Sequence, residues 1–288
     1  MSESHATDLA LAMDAVRRAG EVVMRYFGED LVVEHKSPDQ PLTAADLAAD
    51  ALLHELLIGA RPDYGWLSEE TVDRPDRLAR RRVWIVDPID GTRSFIAKLP
   101  EFAISVGLVE DGEPVAGVVF NPARDELYHA VRGEGAFMSR GGKPPVPLRV
   151  SARGMGDALT MLASRSEIAA GEFDPFGDGW RIEPAGSTAY KLAGVAAGHG
   201  EAFVSRGPKS EWDICAGALL VSESRGRTTD LGGAVLQFNC EDPYVHGILA
   251  TNGTVHEAVL ATVAGLAPSQ RMRERPGHAA DAGSNERG

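Results

Sequence analysis

The 288 residues include only two cysteines, Cys215 and Cys240. One pair cannot build the disulfide framework of a small secreted module, and thiols kept reduced in a cytoplasm are the simpler reading. Long hydrophobic runs are missing too. Ile214 to Val221 is the longest in the C-terminal half, well short of the roughly 18 apolar residues of a spanning helix, so no membrane association is expected. Met1 to His5 has no basic stretch leading into an apolar core and does not read as a secretory signal. Positive charge is in short supply: 29 Lys and Arg face 42 Asp and Glu, a net −13. A general DNA or RNA coat needs a basic face, so nucleic acid is not an expected partner. Small anionic substrates stay open, because a bound metal ion inverts local charge.

What is present is ordinary globular material. Apolar residues make up 43% and charged residues 25%, enough for a sizeable core and too much for whole-chain disorder. The length suits about two domains of roughly 150 residues, or one large one.

Along the chain, Asp8 to Phe27 has helical spacing in Leu9, Ala12, Val16, Ala19, Val23 and Phe27. Leu31 to Glu34 is a short strand candidate, and Lys36 to Pro41 has the composition of a loop. A helix is expected from Thr43, a plausible cap, to about Ile58. Strands are expected at Val83–Val86, Ala103–Glu110, Pro114–Phe120 and Glu126–Val131, with Asp111-Gly112-Glu113 as a hairpin turn. Gly133 to Pro147 is rich in Gly and Pro and reads as the approach to a domain boundary. The second half gives strands at 160–163, 201–204 and 249–251, and helices at 189–197, 213–222 and 254–266. The expected division is 1–147, 148–267 and a disordered tail at 268–288.

The informative segment is Trp84-Ile85-Val86-Asp87-Pro88-Ile89-Asp90-Gly91-Thr92. A buried strand delivers two acids, three residues apart, into a turn. Pro88 fixes one φ and Gly91 permits unusual backbone geometry. Asp87 and Asp90 can then face one spot with the Ile89 carbonyl nearby, an oxygen frame that suits a hard cation such as Mg²⁺. The plainer alternative makes Asp87 a helix cap and Asp90-Gly91 a simple turn. Glu69-Glu70 precedes this strand and reads alternatively as an exposed acidic loop. Trp212-Asp213 opens an apolar helix, where Asp213 taken alone reads as an N-cap. Together the three segments put acids at strand ends and a helix start, where α/β sites gather.

Asp87-Pro88-Ile89-Asp90-Gly91-Thr92, Ser68-Glu69-Glu70, Pro41-Leu42-Thr43-Ala44-Ala45-Asp46 and Trp212-Asp213, in this order and spacing, resemble the inositol monophosphatase superfamily of Mg²⁺-dependent, lithium-sensitive phosphomonoesterases. The resemblance covers roughly residues 8–266. It implies a layered αβαβα sandwich of the α/β class, with the metal site between its halves. It implies a first Mg²⁺ held by Glu69, Asp87 and the Ile89 carbonyl, a second held by Asp87, Asp90 and Asp213, and a weaker third near Glu69. Thr92, backed by Asp46, would orient and deprotonate the attacking water, and the Gly91 and Thr92 N–H groups would receive the phosphate. Lys36 matches a family lysine near the site. Family members are often homodimers, although no interface is marked in the sequence.

The resemblance implies a small phosphorylated metabolite as substrate. Inositol monophosphatases usually place a Glu in the segment before Trp212-Asp213, where this chain has Ser205-Arg206-Gly207-Pro208-Lys209. Cations there suit a second phosphate better than a polyol. Ser187 and Lys191 lie in Gly186-Ser187-Thr188-Ala189-Tyr190-Lys191, a small-residue turn before a helix that can receive a phosphate or ribose. These features look like the 3′(2′),5′-bisphosphate nucleotidase branch, which implies 3′-phosphoadenosine 5′-phosphate as substrate. Ser94-Phe95 is closer to the inositol pattern, and inositol-1-phosphate and then histidinol phosphate are the alternatives. Arg206 and Lys209 can also be read as solvated loop charges, and Lys191 as a lysine snorkelling on a helix. A non-catalytic interaction protein would be expected to lack a metal acid or the threonine, and Glu69, Asp87, Asp90, Thr92 and Asp213 are all present.

Overall fold

In the computed structural model, residues 3–37 and 40–266 are described; the tail expected at 268–288 lies outside them. Two long N-terminal helices, α1 (Glu3–Met24) and α2 (Ala44–Ala60), are separated by a two-stranded hairpin, β1 (Glu34–Ser37) and β2 (Gln40–Leu42). The helical stripe of α1 buries Ala12, Ala15, Val16, Ala19 and Val23, and α2 buries Ala45, Ala49, Leu53 and Leu57. These stripes meet each other and one face of the first sheet.

That sheet has seven strands in sequence order: β3 (Gly65–Ser68), β4 (Arg82–Asp90), β5 (Ala103–Glu110), β6 (Glu113–Asn121), β7 (Glu126–Val131), β8 (Gly135–Arg140) and β9 (Val146–Pro147). Only β3 and β4 run parallel; the rest is an antiparallel meander. A short helix, α3 (Thr92–Ile96), follows β4. The second sheet has the order β11-β10-β12-β14-β13. Its strands are β10 (Leu159–Ala163), β11 (Trp180–Pro184), β12 (Ala202–Ser210), β13 (Arg227–Thr229) and β14 (Tyr244–Thr251). Between the sheets lie α5 (Thr188–Ala196) and α6 (Glu211–Glu223), whose apolar residues Leu192, Val195, Ile214 and Leu220 join one core with both sheets. On the outer face, α4 (Arg165–Ala169) and α7 (His256–Ala264) complete the αβαβα layering. Among the described residues no helix is long and apolar enough to cross a membrane.

Several boundaries differ from expectation. The first strand is 34–37 rather than 31–34, and in the segment read as a loop at 36–41 residues 36–37 and 40–41 belong to paired strands. It has no apolar alternation, so period-2 reasoning cannot see it. Gly133 to Pro147 contains β8 and β9, because its glycines sit at the turns and strand starts. Four further short elements, α3, α4, β11 and β13, have no counterpart in the sequence expectations. The strand expected at 249–251 is the end of the longer β14.

The approach of α6 to the first sheet is set by small residues on both partners. Gly107 and Gly117 are paired opposite each other on β5 and β6. A Cβ on Gly107 would lie 2.5 Å from the Cys215 sulfur, and one on Gly117 would lie 3.0 Å from the Ala216 Cα. The helix therefore rests almost on the sheet backbone. Valine at position 117 would press on helix backbone that cannot rotate away. Gly117→Val is expected to cost about 2–3 kcal/mol, read as a lower midpoint in equilibrium urea unfolding; an unchanged midpoint would show that the helix is not held at this distance.

Candidate active site

The end of β4 carries Asp87 and Asp90. Residues three apart on a regular strand face opposite sides of a sheet. Here the pairing with β5 shifts: Asp87 sits opposite Ser105, and Asp90 opposite Ala103. Three steps on β4 thus span two on β5, and this bulge turns both acids the same way. Pro88 lies inside it, where a missing N–H is tolerated. The Ile89 N–H donates to Asp87 Oδ1 at 3.0 Å. Gly91 follows with φ +95°, and a Cβ there would come within 3.1 Å of the Glu101 carbonyl and the Ser187 nitrogen. Glycine is needed on both counts.

The third acid arrives on α6. Ser210 is its N-cap, and Asp213 is the third helical residue of a capping box whose Oδ2 accepts the Ser210 N–H at 3.1 Å. The N-cap place that Asp213 taken alone suggests belongs instead to Ser210 at the end of β12. Ser105 Oγ on β5 donates to the Trp212 carbonyl at 3.2 Å, tying the helix start to the first sheet. One oxygen each from Asp87, Asp90 and Asp213 then lie within 4.8 Å of one another. An all-carboxylate set this compact fits a hard divalent cation such as Mg²⁺.

Asp46 sits at the start of α2 in a second capping box. Its Oδ2 accepts from the Thr43 N–H at 2.8 Å and the Thr43 hydroxyl at 2.6 Å. Its Oδ1 lies 3.3 Å from the Thr92 hydroxyl, which is also 3.1 Å from the Ile89 carbonyl. Glu69, just past β3, has its N–H on the Val86 carbonyl and its carboxylate on the Lys36 ammonium at 2.8 Å. Glu70 shares that ammonium at 3.0 Å. The acidic pair is therefore partly buried and ion-paired, not a solvated loop.

Burial and mutual repulsion act together on these acids. Burial, then the charges of Glu69, Asp90 and Asp213, pushes Asp87 well above the ordinary carboxylate range. Burial and the charge of Asp90 raise Asp213 to about 7. Burial and Glu69 raise Glu70 to about 7. Glu69 is raised chiefly by burial, against the pull of Lys36. Burial also raises Asp46 against the Thr43 hydrogen bonds. Partial desolvation works against the charge on Lys36, yet the two glutamates outweigh this and hold it above the ordinary lysine value.

These groups surround a cavity of about 580 Å³ lined by Glu69, Asp87, Ile89, Asp90, Gly91, Thr92, Ser187, Lys191, Lys209 and Asp213. The structure thus brings together the residues singled out from sequence except Lys36, Asp46 and Arg206, of which Lys36 is paired with Glu69 and Glu70. Asp46 stands behind Thr92. Arg206 is not part of the cavity wall and is ion-paired with Glu172 at 3.2 Å. The bulge in β12 between Ser205 and Pro208, at Gly207-Pro208, changes which way this segment faces.

Ser187 and Lys191 both line the cavity and are also held by groups of the protein itself. Ser187, at φ +58°, caps α5 and donates its hydroxyl to Asp90 Oδ2 at 2.6 Å. The Ala189 N–H reaches the same oxygen. Lys191 is buried rather than snorkelling, and its ammonium donates to the Ser187 carbonyl at 2.7 Å and the Ala185 carbonyl at 3.4 Å. Burial draws its pKa down to about 8. Sequence reasoning missed Glu101, whose carboxylate takes both the Arg165 guanidinium and the Gly186 N–H and so joins segments of the cavity wall. A lone glutamate in a loop carries no local signal of such a role.

The raised acids give a pH dependence with a definite sign. Each is more readily protonated folded than unfolded, so its contribution to stability is present at low pH and is lost as pH rises from the ordinary carboxylate range through about 7. A cation competes with those protons. The gain in Tm from saturating Mg²⁺ is therefore expected to grow from about pH 5 to about pH 7.5, measured by differential scanning calorimetry. A gain that is flat or shrinks across this range would contradict the arrangement.

Comparison with known proteins bears directly on this geometry. Residues 5–267 match the model of the inositol monophosphatase family. An inositol-1-monophosphatase of Rhizobium meliloti is 39% identical over 235 residues, 78% of this chain and 86% of that protein. The solved IMPase of Thermotoga maritima superposes with a TM-score of 0.76 at 30% identity, covering 89% of this chain and 96% of that one. CysQ from Bacteroides thetaiotaomicron superposes with a TM-score of 0.71 at 25% identity, covering 86% and 97%. The chain belongs to the inositol monophosphatase family, whose members are metal-dependent phosphatases that hydrolyse phosphoric monoesters.

Proposed function

We propose that this phosphatase prefers a phosphomonoester carrying a second anionic group, with 3′-phosphoadenosine 5′-phosphate as the leading case, hydrolysed to AMP and phosphate. The observation that carries this reading is the place of Lys209. It stands on the cavity wall one residue before the cap of the helix that bears Asp213. Arg93 lines the same cavity, as do Arg165, which is paired with Glu101, and Lys191, whose ammonium is held by two backbone carbonyls, so the acidic centre shares a space of nucleotide scale with basic groups. Arg206, the other cation on which the sequence reading drew, lends no support from its pairing with Glu172.

In this reading Glu69, Asp87 and the Ile89 carbonyl would hold one Mg²⁺, Asp87, Asp90 and Asp213 would hold a second, and a weaker third would lie near Glu69. Bound Mg²⁺ would neutralise the phosphate dianion and lower the pKa of a water. Thr92 Oγ1 orients the attacking water and passes its proton toward Asp46 Oδ1. Burial makes the Asp46 carboxylate a stronger proton acceptor than an exposed one. Gly91 and Thr92 offer their N–H groups to the phosphate. Ser187 holds Asp90 in orientation from the far wall.

Inositol-1-phosphate is the second reading, favoured by the Rhizobium meliloti relative. The two separate on kcat/KM measured with Mg²⁺ on one preparation, with histidinol phosphate as a further arm. The nucleotide is expected to lead. Lys209→Met is expected to lower kcat/KM for the nucleotide about 10- to 100-fold, the worth of one charge-assisted hydrogen bond, with little change for inositol-1-phosphate. A wild-type preference for inositol-1-phosphate, or equal losses on both, would overturn the second-anion reading and leave the metal chemistry standing. Asp90→Asn is expected to abolish turnover on every substrate with the circular dichroism spectrum unchanged; turnover at more than a small fraction of the wild-type rate would remove Asp90 from the centre.

A further inference from the structure

Helix α2 carries a second buried acid, Asp50, one turn after Asp46 and therefore on the same face. Asp46 reaches Thr92. Asp50 reaches the other side of the centre. Its Oδ1 accepts the Ser68 hydroxyl at 2.5 Å, and its Oδ2 accepts the Thr71 hydroxyl at 2.7 Å. Ser68 and Thr71 bracket Glu69 and Glu70. The Glu70 N–H approaches Ser68 Oγ at 3.4 Å, and the Glu69 N–H is held by the Val86 carbonyl beside Asp87. Each hydroxyl has a single proton to give, and both spend it on Asp50. The segment is thus pinned on either side of the two glutamates by one side chain.

We propose that Asp50 is a positioning residue: through Ser68 and Thr71 it fixes the Glu69 carboxylate relative to the Asp87–Asp90–Asp213 centre. In this arrangement α2 keeps Thr92 and Glu69 in register, one through Asp46 and the other through Asp50. The proposal rests on the reading of Glu69 as a cation ligand.

The experiment is a double-mutant cycle on Mn²⁺ affinity, followed by electron paramagnetic resonance of free Mn²⁺ without substrate. Glu69→Gln is expected to weaken binding. Asp50→Ala is expected to weaken it about tenfold, the usual cost of losing a partner that orients a ligand. Asp50→Asn is expected to recover most of this, since an amide can accept one hydroxyl and donate to the other. Combined with Glu69→Gln, Asp50→Ala is expected to add nothing, because its effect runs through Glu69. Losses that add in the double mutant, or an Asp50→Ala protein with wild-type affinity, would overturn the proposal. An unchanged affinity in Glu69→Gln would overturn the ligand reading of Glu69 itself. Should Asp50→Ala not fold, the Ser68→Ala/Thr71→Val protein enters the same cycle with the same expectations.

Discussion

The constraint on which the site depends is the repulsion among carboxylates held in one partly dry volume. Asp87, Asp90 and Asp213 bring oxygens within 4.8 Å of one another, with Glu69 close enough to act on all three charges. Left to themselves such groups would splay toward water or keep protons. Each is prevented from splaying by the same device. One oxygen is held by a local donor, so the direction of the other is fixed. Asp87 uses the Ile89 N–H, Asp90 the Ser187 hydroxyl and Ala189 N–H, and Asp213 the Ser210 N–H. Asp46 does the same with Thr43. Held this way, the acids gain from a divalent cation what they lose to one another, and the site becomes a place where metal occupancy and folding are linked.

The layering exists to bring these donors together. Two of the acids are on the first sheet, one is on a helix between the sheets, and the groups that orient Asp90 are on another. The helix bearing Asp213 must lie almost on the sheet backbone, which the facing Gly107 and Gly117 permit and the small residues Cys215 and Ala216 exploit. Cys215 is therefore a buried packing residue, its thiol pushed up by burial and by Glu211. Glu211, one helical turn before it, takes the Asn239 and Cys240 N–H groups and fastens a distant loop to the same helix start.

Much of this was legible in the sequence, for physical reasons. A proline and a glycine flanking two acids at the end of an apolar strand mark a turn that aims side chains, and a Trp-Asp at a helix start marks a fixed carboxylate. The Thr43 cap and the long apolar strands are local signals and were read where they lie. What escaped is long-range or depends on a single residue of backbone register. The β12 bulge turned Arg206 toward Glu172 while Lys209 stayed on the cavity. Asp50, an unremarkable acid in a helix, takes its role from hydroxyls at positions 68 and 71 that come near only after folding. The 34–42 hairpin has no pattern of its own, and its Lys36 is fixed by glutamates more than 30 positions away.

The central claim is that the three aspartates form a divalent-cation centre. Its most direct test is a crystal of the protein grown with Mn²⁺, with anomalous difference density collected at the manganese edge. The account predicts density bounded by Asp87, Asp90 and Asp213, with a second peak toward Glu69 and the Ile89 carbonyl. A fully ordered site with no manganese between those three side chains would contradict it.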